Sequence, residues 1–171
     1  MTNDVTIRLA EMNDTESIVE IYNEGIRNRN NAILDEIELS EYQQEFKKRD
    51  HWEYPIFVAI DNHKVIGWIS ISAYRANRRA YQKSKEVSFY IDSKYFGKGI
   101  GSQLLQYVID HRTEISFDSL FAILVADNQP SISLLKKYNF LLWGYMPKVL
   151  DMDGKKEDAI IYGRNFEKKG S

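Results

Sequence analysis

Cysteine is absent from these 171 residues, which excludes disulfides, thiolate metal sites and a cysteine nucleophile. An excess of one charge is also missing: 23 Lys and Arg stand against 25 Asp and Glu, a net charge of -2. Duplex binding relies on a large positive surface to displace counterions, so no nucleic acid partner is expected. No apolar run approaches the ~20 residues that cross a bilayer, and MTNDVTIRLAEMND lacks the apolar core of a leader. We therefore expect a cytoplasmic protein with no membrane partner. The three histidines, His51, His63 and His111, are scattered without ligand spacing, and DMDG at 151 to 154 lacks the terminal glutamate of a calcium loop. No metal is expected. Repeats and low-complexity tracts are absent as well.

What is present is ordinary for a globular domain: 43% hydrophobic and 28% charged residues, in a chain about one domain long. One domain over residues 1 to 171 is the expectation. VTIRLA (5–10) alternates as a strand. Asn13 and Glu16 have capping-box spacing before Ile18, Ile21, Tyr22 and Ile26, which recur on one helical face. Ser40 with Gln43 marks a second helix start, and Lys47, Lys48 and Arg49 suit a helix C-terminus. IFVAI, the turn DNHK and VIGWISI predict a hairpin over 56–71. A basic loop (74–85) leads into the strand EVSFYI (86–91). Helices are predicted over 102–112 and 128–138, around the apolar strand LFAILVA (120–126), and the chain closes on a hairpin turning at Asp153-Gly154.

Three of the nine glycines, Gly97, Gly99 and Gly101, crowd into KYFGKGIGS between a strand and a helix. Such a loop keeps side chains off the backbone and lets its N–H groups converge on an anion at the helix N-terminus. A dinucleotide fingerprint requires a glycine where Ser102 stands, and no glycine here is followed by the Lys-Ser/Thr pair of a P-loop.

What remains, EVSFYIDSKYFGKGIGSQLL, resembles the coenzyme A segment of the GNAT superfamily of N-acetyltransferases. IRLAEMNDTESIVEIYN, FVAIDNHKVIGWISIS, NRRAYQKSKE and NQPSISLLKKYNF follow in the order of its phosphinothricin acetyltransferase-like branch. The resemblance implies an α+β fold with a mixed, mostly antiparallel, twisted sheet flanked by helices on both faces. It also implies acetyl-CoA as co-substrate and transfer of its acetyl group to the amine of a small, amino-acid-like molecule. A homodimer joined through C-terminal strands is implied too. A protein or peptide N-acetyltransferase and a non-catalytic acyl-CoA-binding module are the alternatives.

Carried onto this sequence, the resemblance makes Glu86 the general base that frees the attacking amine. The plain alternative is a loop-end carboxylate paired with Lys85 or Arg79. The loop Phe96, Gly97, Lys98, Gly99, Ile100, Gly101 and Ser102 would hold the pyrophosphate. The main chain of Phe89, Tyr90 and Ile91 would run beside pantetheine and supply an oxyanion donor. Asn128, with Ser131, corresponds to a pantetheine contact or is simply a helix cap. Arg78, Tyr81 and Asp158 are candidates for the acceptor side. The run Arg75, Arg78, Arg79, Lys83 and Lys85 either meets an acceptor carboxylate or CoA 3′-phosphate or is a solvated loop. Phe96 replaces the usual Gln or Arg, Leu135 the frequent tyrosine acid and Asn139 the usual glycine; Tyr138 lies three residues past Leu135.

Overall fold

The computed structural model describes residues 5–166. The first four residues of the amino-terminal segment and the last five of the chain lie outside them. In chain order the elements are β1 (Thr6–Leu9), α1 (Thr15–Arg27), α2 (Leu39–Lys48), β2 (Ile56–Asp61), β3 (Lys64–Ala73) and β4 (Ser84–Ile91). There follow α3 (Ile100–Asp110), the single turn α4 (Arg112–Ile115), β5 (Ser119–Val125), α5 (Gln129–Lys137), β6 (Leu141–Met152) and β7 (Lys155–Asn165).

Alternation decides which face each strand residue joins. Phe57, Ile69, Ile71, Val87, Leu120 and Ala122 pack with Leu104 and Leu105 of α3 and Leu135 of α5. Val58 and Trp68 pack instead with Ile18 and Ile21 of α1 and Phe46 of α2. Helices thus cover both faces of one seven-stranded sheet ordered β1-β2-β3-β4-β5-β7-β6. Every neighbouring pair is antiparallel except β4 and β5. This is the α+β, mixed and mostly antiparallel sheet that the sequence led us to expect.

The β4–β5 junction is the break in the sheet. Parallel pairing covers only Ser84, Lys85 and Glu86 against Ser119, Leu120 and Phe121. Beyond Glu86, β4 stays paired with β3 as far as Ile91 while β5 pairs on with β7, so the two central strands part.

Several boundaries differ from expectation. The capping box belongs to Glu11 and Asp14 on a 3₁₀ turn, not to Asn13 and Glu16, because Arg8 pulls the Asp14 carboxylate in at 2.7 Å. Ser40 lies inside α2, whose N-cap is Glu38. Arg49 is the C-cap of α2, but its guanidinium leaves the helix for the carbonyls of Tyr54 at 2.6 Å and Ile71 at 2.5 Å. Both hairpin turns have positive φ at their two central residues, Asn62-His63 and Asp153-Gly154, which matches strand twist.

Candidate active site

Glu86 sits on the last β4 residue paired to β5, across from Phe121 on one side and Ser72 on the other. Its face is that of Tyr90, whose ring packs on Tyr22 and Trp68 at centroid distances of 4.7 and 4.9 Å. Burial pushes the Glu86 carboxyl above its ordinary value of 4.5, because the charged form loses water. The same burial, reinforced by Glu86, raises the phenols of Tyr22 and Tyr90. A carboxyl so placed is a stronger base than a solvated one and stands where the sheet opens.

Neither ion-pair partner considered for Glu86 is there. Lys85, one residue earlier, points to the opposite face and is buried, and Arg79 lies on the exposed turn Arg79–Tyr81. The basic run is therefore split. Arg75, Arg78 and Arg79 line a cleft of about 450 Å³, with Tyr74 and Tyr81 among its other walls. Lys83 donates to the Ser116 hydroxyl instead. Tyr74 meets Tyr81 edge-on at 5.1 Å and Phe121 at 4.9 Å, which links the cleft to the strand residue facing Glu86.

On the other side of the opening, Phe96 is exposed and Gly97 and Gly99 take φ of 73° and 80°. An added Cβ would meet nothing within 4 Å at either, so glycine is required there by backbone conformation and not by space. Gly99 is the N-cap of α3 and supplies no side-chain cap. The helix therefore starts two residues before Ser102, and the N–H groups of Ile100, Gly101 and Ser102 form its first turn. Gly101 is small for another reason, since a Cβ would come within 2.9 Å of Leu134 on α5. The loop is anchored from behind: Ser93 donates its N–H and hydroxyl to Glu24 of α1, at 3.1 and 2.5 Å. Lys98 lies over the Tyr95 ring at 4.7 Å.

Phe89 and Ile91 pack into the α3-side core, leaving the main chain of 89–91 as the β5-facing edge of the gap. Asn128 caps α5 by accepting from the Ser131 N–H at 3.3 Å and donates to the Asn30 carbonyl at 3.1 Å. Asp158 is engaged within the last hairpin: it accepts from the Tyr145 hydroxyl and from the Lys148 N–H at 2.9 Å, and these bonds lower its pKa. Leu135 is core with no exposure, and the Tyr138 hydroxyl donates to the Ser102 carbonyl at 2.9 Å, at the α3 terminus. Asn139 takes the left-handed φ, 62°, that replaces a glycine.

Sequence reasoning missed Tyr22, Tyr74 and Phe121. Spacing places Tyr22 on the apolar face of α1; a phenol among isoleucines is the one signal the sequence offers. The free amides at the start of α3, the parted strands and the basic cleft fit a long anionic thioester on one side and a small acceptor on the other.

Comparison with known proteins agrees. The acetyltransferase (GNAT) family profile matches residues 16–140. The Bacillus subtilis protein YwnH, whose name assigns it provisionally to the phosphinothricin acetyltransferases, is 39% identical over 95% of this chain and 99% of its own. A Pseudomonas aeruginosa L-methionine sulfoximine/L-methionine sulfone acetyltransferase is 31% identical, over 95% of each chain. The crystal structure of a GNAT superfamily phosphinothricin acetyltransferase from Sinorhizobium meliloti, in complex with acetyl-CoA, superposes with a TM-score of 0.87 at 31% identity, covering 95% of this chain and 88% of that one. Sequence over most of the chain, the parted sheet and the glycine cradle thus converge on one conclusion: the chain belongs to the GNAT acetyltransferase family and uses acetyl-CoA.

Proposed function

We propose that this enzyme acetylates the primary amine of a small amino-acid-like acceptor, of the phosphinothricin or methionine sulfone type, acting as one domain along its length. The observation that carries the reading is Glu86: a half-buried carboxyl of raised pKa at the point where β4 and β5 part, paired across from Phe121, whose ring meets the Tyr74 wall of the basic cleft. The names of the relatives support the acceptor class.

Bound acetyl-CoA supplies an acyl thioester. The N–H groups of Gly97 to Ser102 hold its diphosphate with the positive end of α3, and the Phe89–Ile91 edge pairs with pantetheine as an added strand would, offering an N–H to the thioester carbonyl. Asn128 and Ser131 border the same arm. An amino acid amine arrives as ammonium; Glu86 takes one proton, directly or through water, the freed nitrogen attacks the thioester carbonyl without a covalent acyl-enzyme, and as the C–S bond breaks CoA leaves as a thiolate that takes up the second proton shed by the new amide nitrogen. Arg78 meets the acceptor carboxylate and Tyr81 walls the cleft, while Asp158, held in the hairpin, borders the acceptor side. Tyr138, tied to Ser102, serves the diphosphate end of the site.

Two partners follow. A second copy of the chain docks on β6, an edge strand with Leu141, Leu142, Tyr145 and Val149 all more than half exposed. The acceptor is a small molecule, with neither nucleic acid nor membrane involved, and the setting is the cytoplasm; no helix among the described residues is long and apolar enough to cross a membrane.

The test is release of free CoA from acetyl-CoA with phosphinothricin, methionine sulfone, methionine sulfoximine, other amino acids, polyamines and short peptides. Release with one amino-acid-like class, lost in Glu86→Gln while calorimetric CoA binding persists, is the expected result. Peptide-only turnover makes it a protein N-acetyltransferase, and binding without turnover on any amine makes it an acyl-CoA-binding module.

A further inference from the structure

Lys85 is 1% exposed, among the largest fully buried side chains of the described residues. Lysine is almost never fully buried unless paired, yet the hydrogen bonds of this one go to carbonyls. Its Nζ donates to the Glu53 carbonyl at 2.8 Å and to the Ile115 carbonyl, at the end of α4, at 3.0 Å. It also lies 4.9 Å from the centroid of the Tyr54 ring. Burial pulls its pKa down, with the nearby Glu53 carboxylate acting in the other direction. Arg49 grips the very next carbonyl, that of Tyr54. Two cations thus hold consecutive carbonyls of the turn before β2, and Glu53 and Tyr54 of that turn line the same cleft as Arg75 and Arg78.

We propose that Lys85 is a positioning residue for the acceptor: gripping Glu53 and Tyr54 from inside the protein, its ammonium fixes the cleft wall against which the acceptor lies. Glu86, the next residue, faces the other way. Adjacent positions of one strand thereby set acceptor placement and proton removal, which couples the wall to the base through a rigid, doubly paired segment of β4. A wall displaced by about 1 Å costs reactivity by misplacing the amine, without touching the cofactor. The inference rests on the reading of the cleft as the acceptor site.

Steady-state kinetics of Lys85→Met, with methionine sulfone or the most active amine of the panel above, test it beside Arg78→Ala. Lys85→Met is expected to raise the acceptor KM about tenfold or more, with the acetyl-CoA KM and the calorimetric Kd for CoA unchanged. A merely structural lysine would lower Tm and leave that split unmoved. An acceptor KM equal to wild type, or a parallel loss of CoA affinity, overturns the proposal. Where Lys85→Met fails to fold, Lys85→Arg, which keeps charge and donors on a longer arm, is read by the same criteria. Arg78→Ala separates the two failures. If it raises acceptor KM and Lys85→Met does not, only the role of Lys85 falls; if neither substitution moves acceptor KM, the cleft is not the acceptor site and both fall.

Discussion

A carboxyl that loses water on folding and gains no cation works against stability, and Glu86 is such a group: burial is the cause of its raised pKa. The folded state binds its proton more tightly than the unfolded state, so between the ordinary 4.5 and the raised value the protein loses stability as pH rises. Glu86→Gln is accordingly expected to raise Tm at pH 7, with the difference shrinking toward pH 4, as calorimetry over pH would record. The same substitution should lower kcat/KM by about 10²–10⁴-fold and abolish the rising limb of the pH–rate profile. Equal Tm at pH 7 would mean that Glu86 is solvated and not the tuned base. The identity of Glu86 as a candidate was legible from the family segment; its freedom from Lys85 was not. Neighbours in sequence point to opposite faces of a strand, and only knowing that Ser84 and Lys85 already belong to β4 reveals that the two cannot pair.

At the scale of elements, the glycine loop was readable and its phase was not. Three glycines mark the loop between β4 and α3, but the helix begins at Ile100 because Gly99 caps it in a left-handed conformation that other residues resist. Gly99→Ala is expected to cost about 1–2 kcal/mol in denaturant unfolding and to weaken CoA binding, since a Cβ there meets no atom and the whole effect comes from φ. Gly163→Ala should act through contact instead. Trp143, bulged out of the β6 register, lies over Gly163 of β7, where a Cβ would fall 2.1 Å from its ring. A loss of about 1–3 kcal/mol is expected, and a shift of Trp143 fluorescence would show the ring displaced. Unchanged fluorescence would mean the hairpin moves and not the ring. Bulges of this kind leave a faint trace in sequence, because they depend on how two strands curl around each other.

For the whole molecule, the exposed edge strand makes the association state the informative quantity. Light scattering should give twice the 20.1 kDa chain mass, and Leu141→Glu with Val149→Glu should return it to the single value. A single-chain mass for the unaltered protein would remove the second copy from the site's surroundings. The order of strands and helices, their amphipathic faces and the glycine loop between β4 and α3 were legible in the chain because they follow from periodicity, glycine placement and local spacing, and the family was legible from the likeness of whole segments to its members. Tertiary structure alone decided that β4 and β5 separate after three paired residues, that the basic run divides into three cleft-lining arginines and two lysines turned elsewhere, and that Lys85 is buried behind the cleft wall. The physical reason is that strand pairing, burial and the desolvation that sets the Glu86 pKa are properties of residues far apart in the chain, and no local pattern encodes which of them meet.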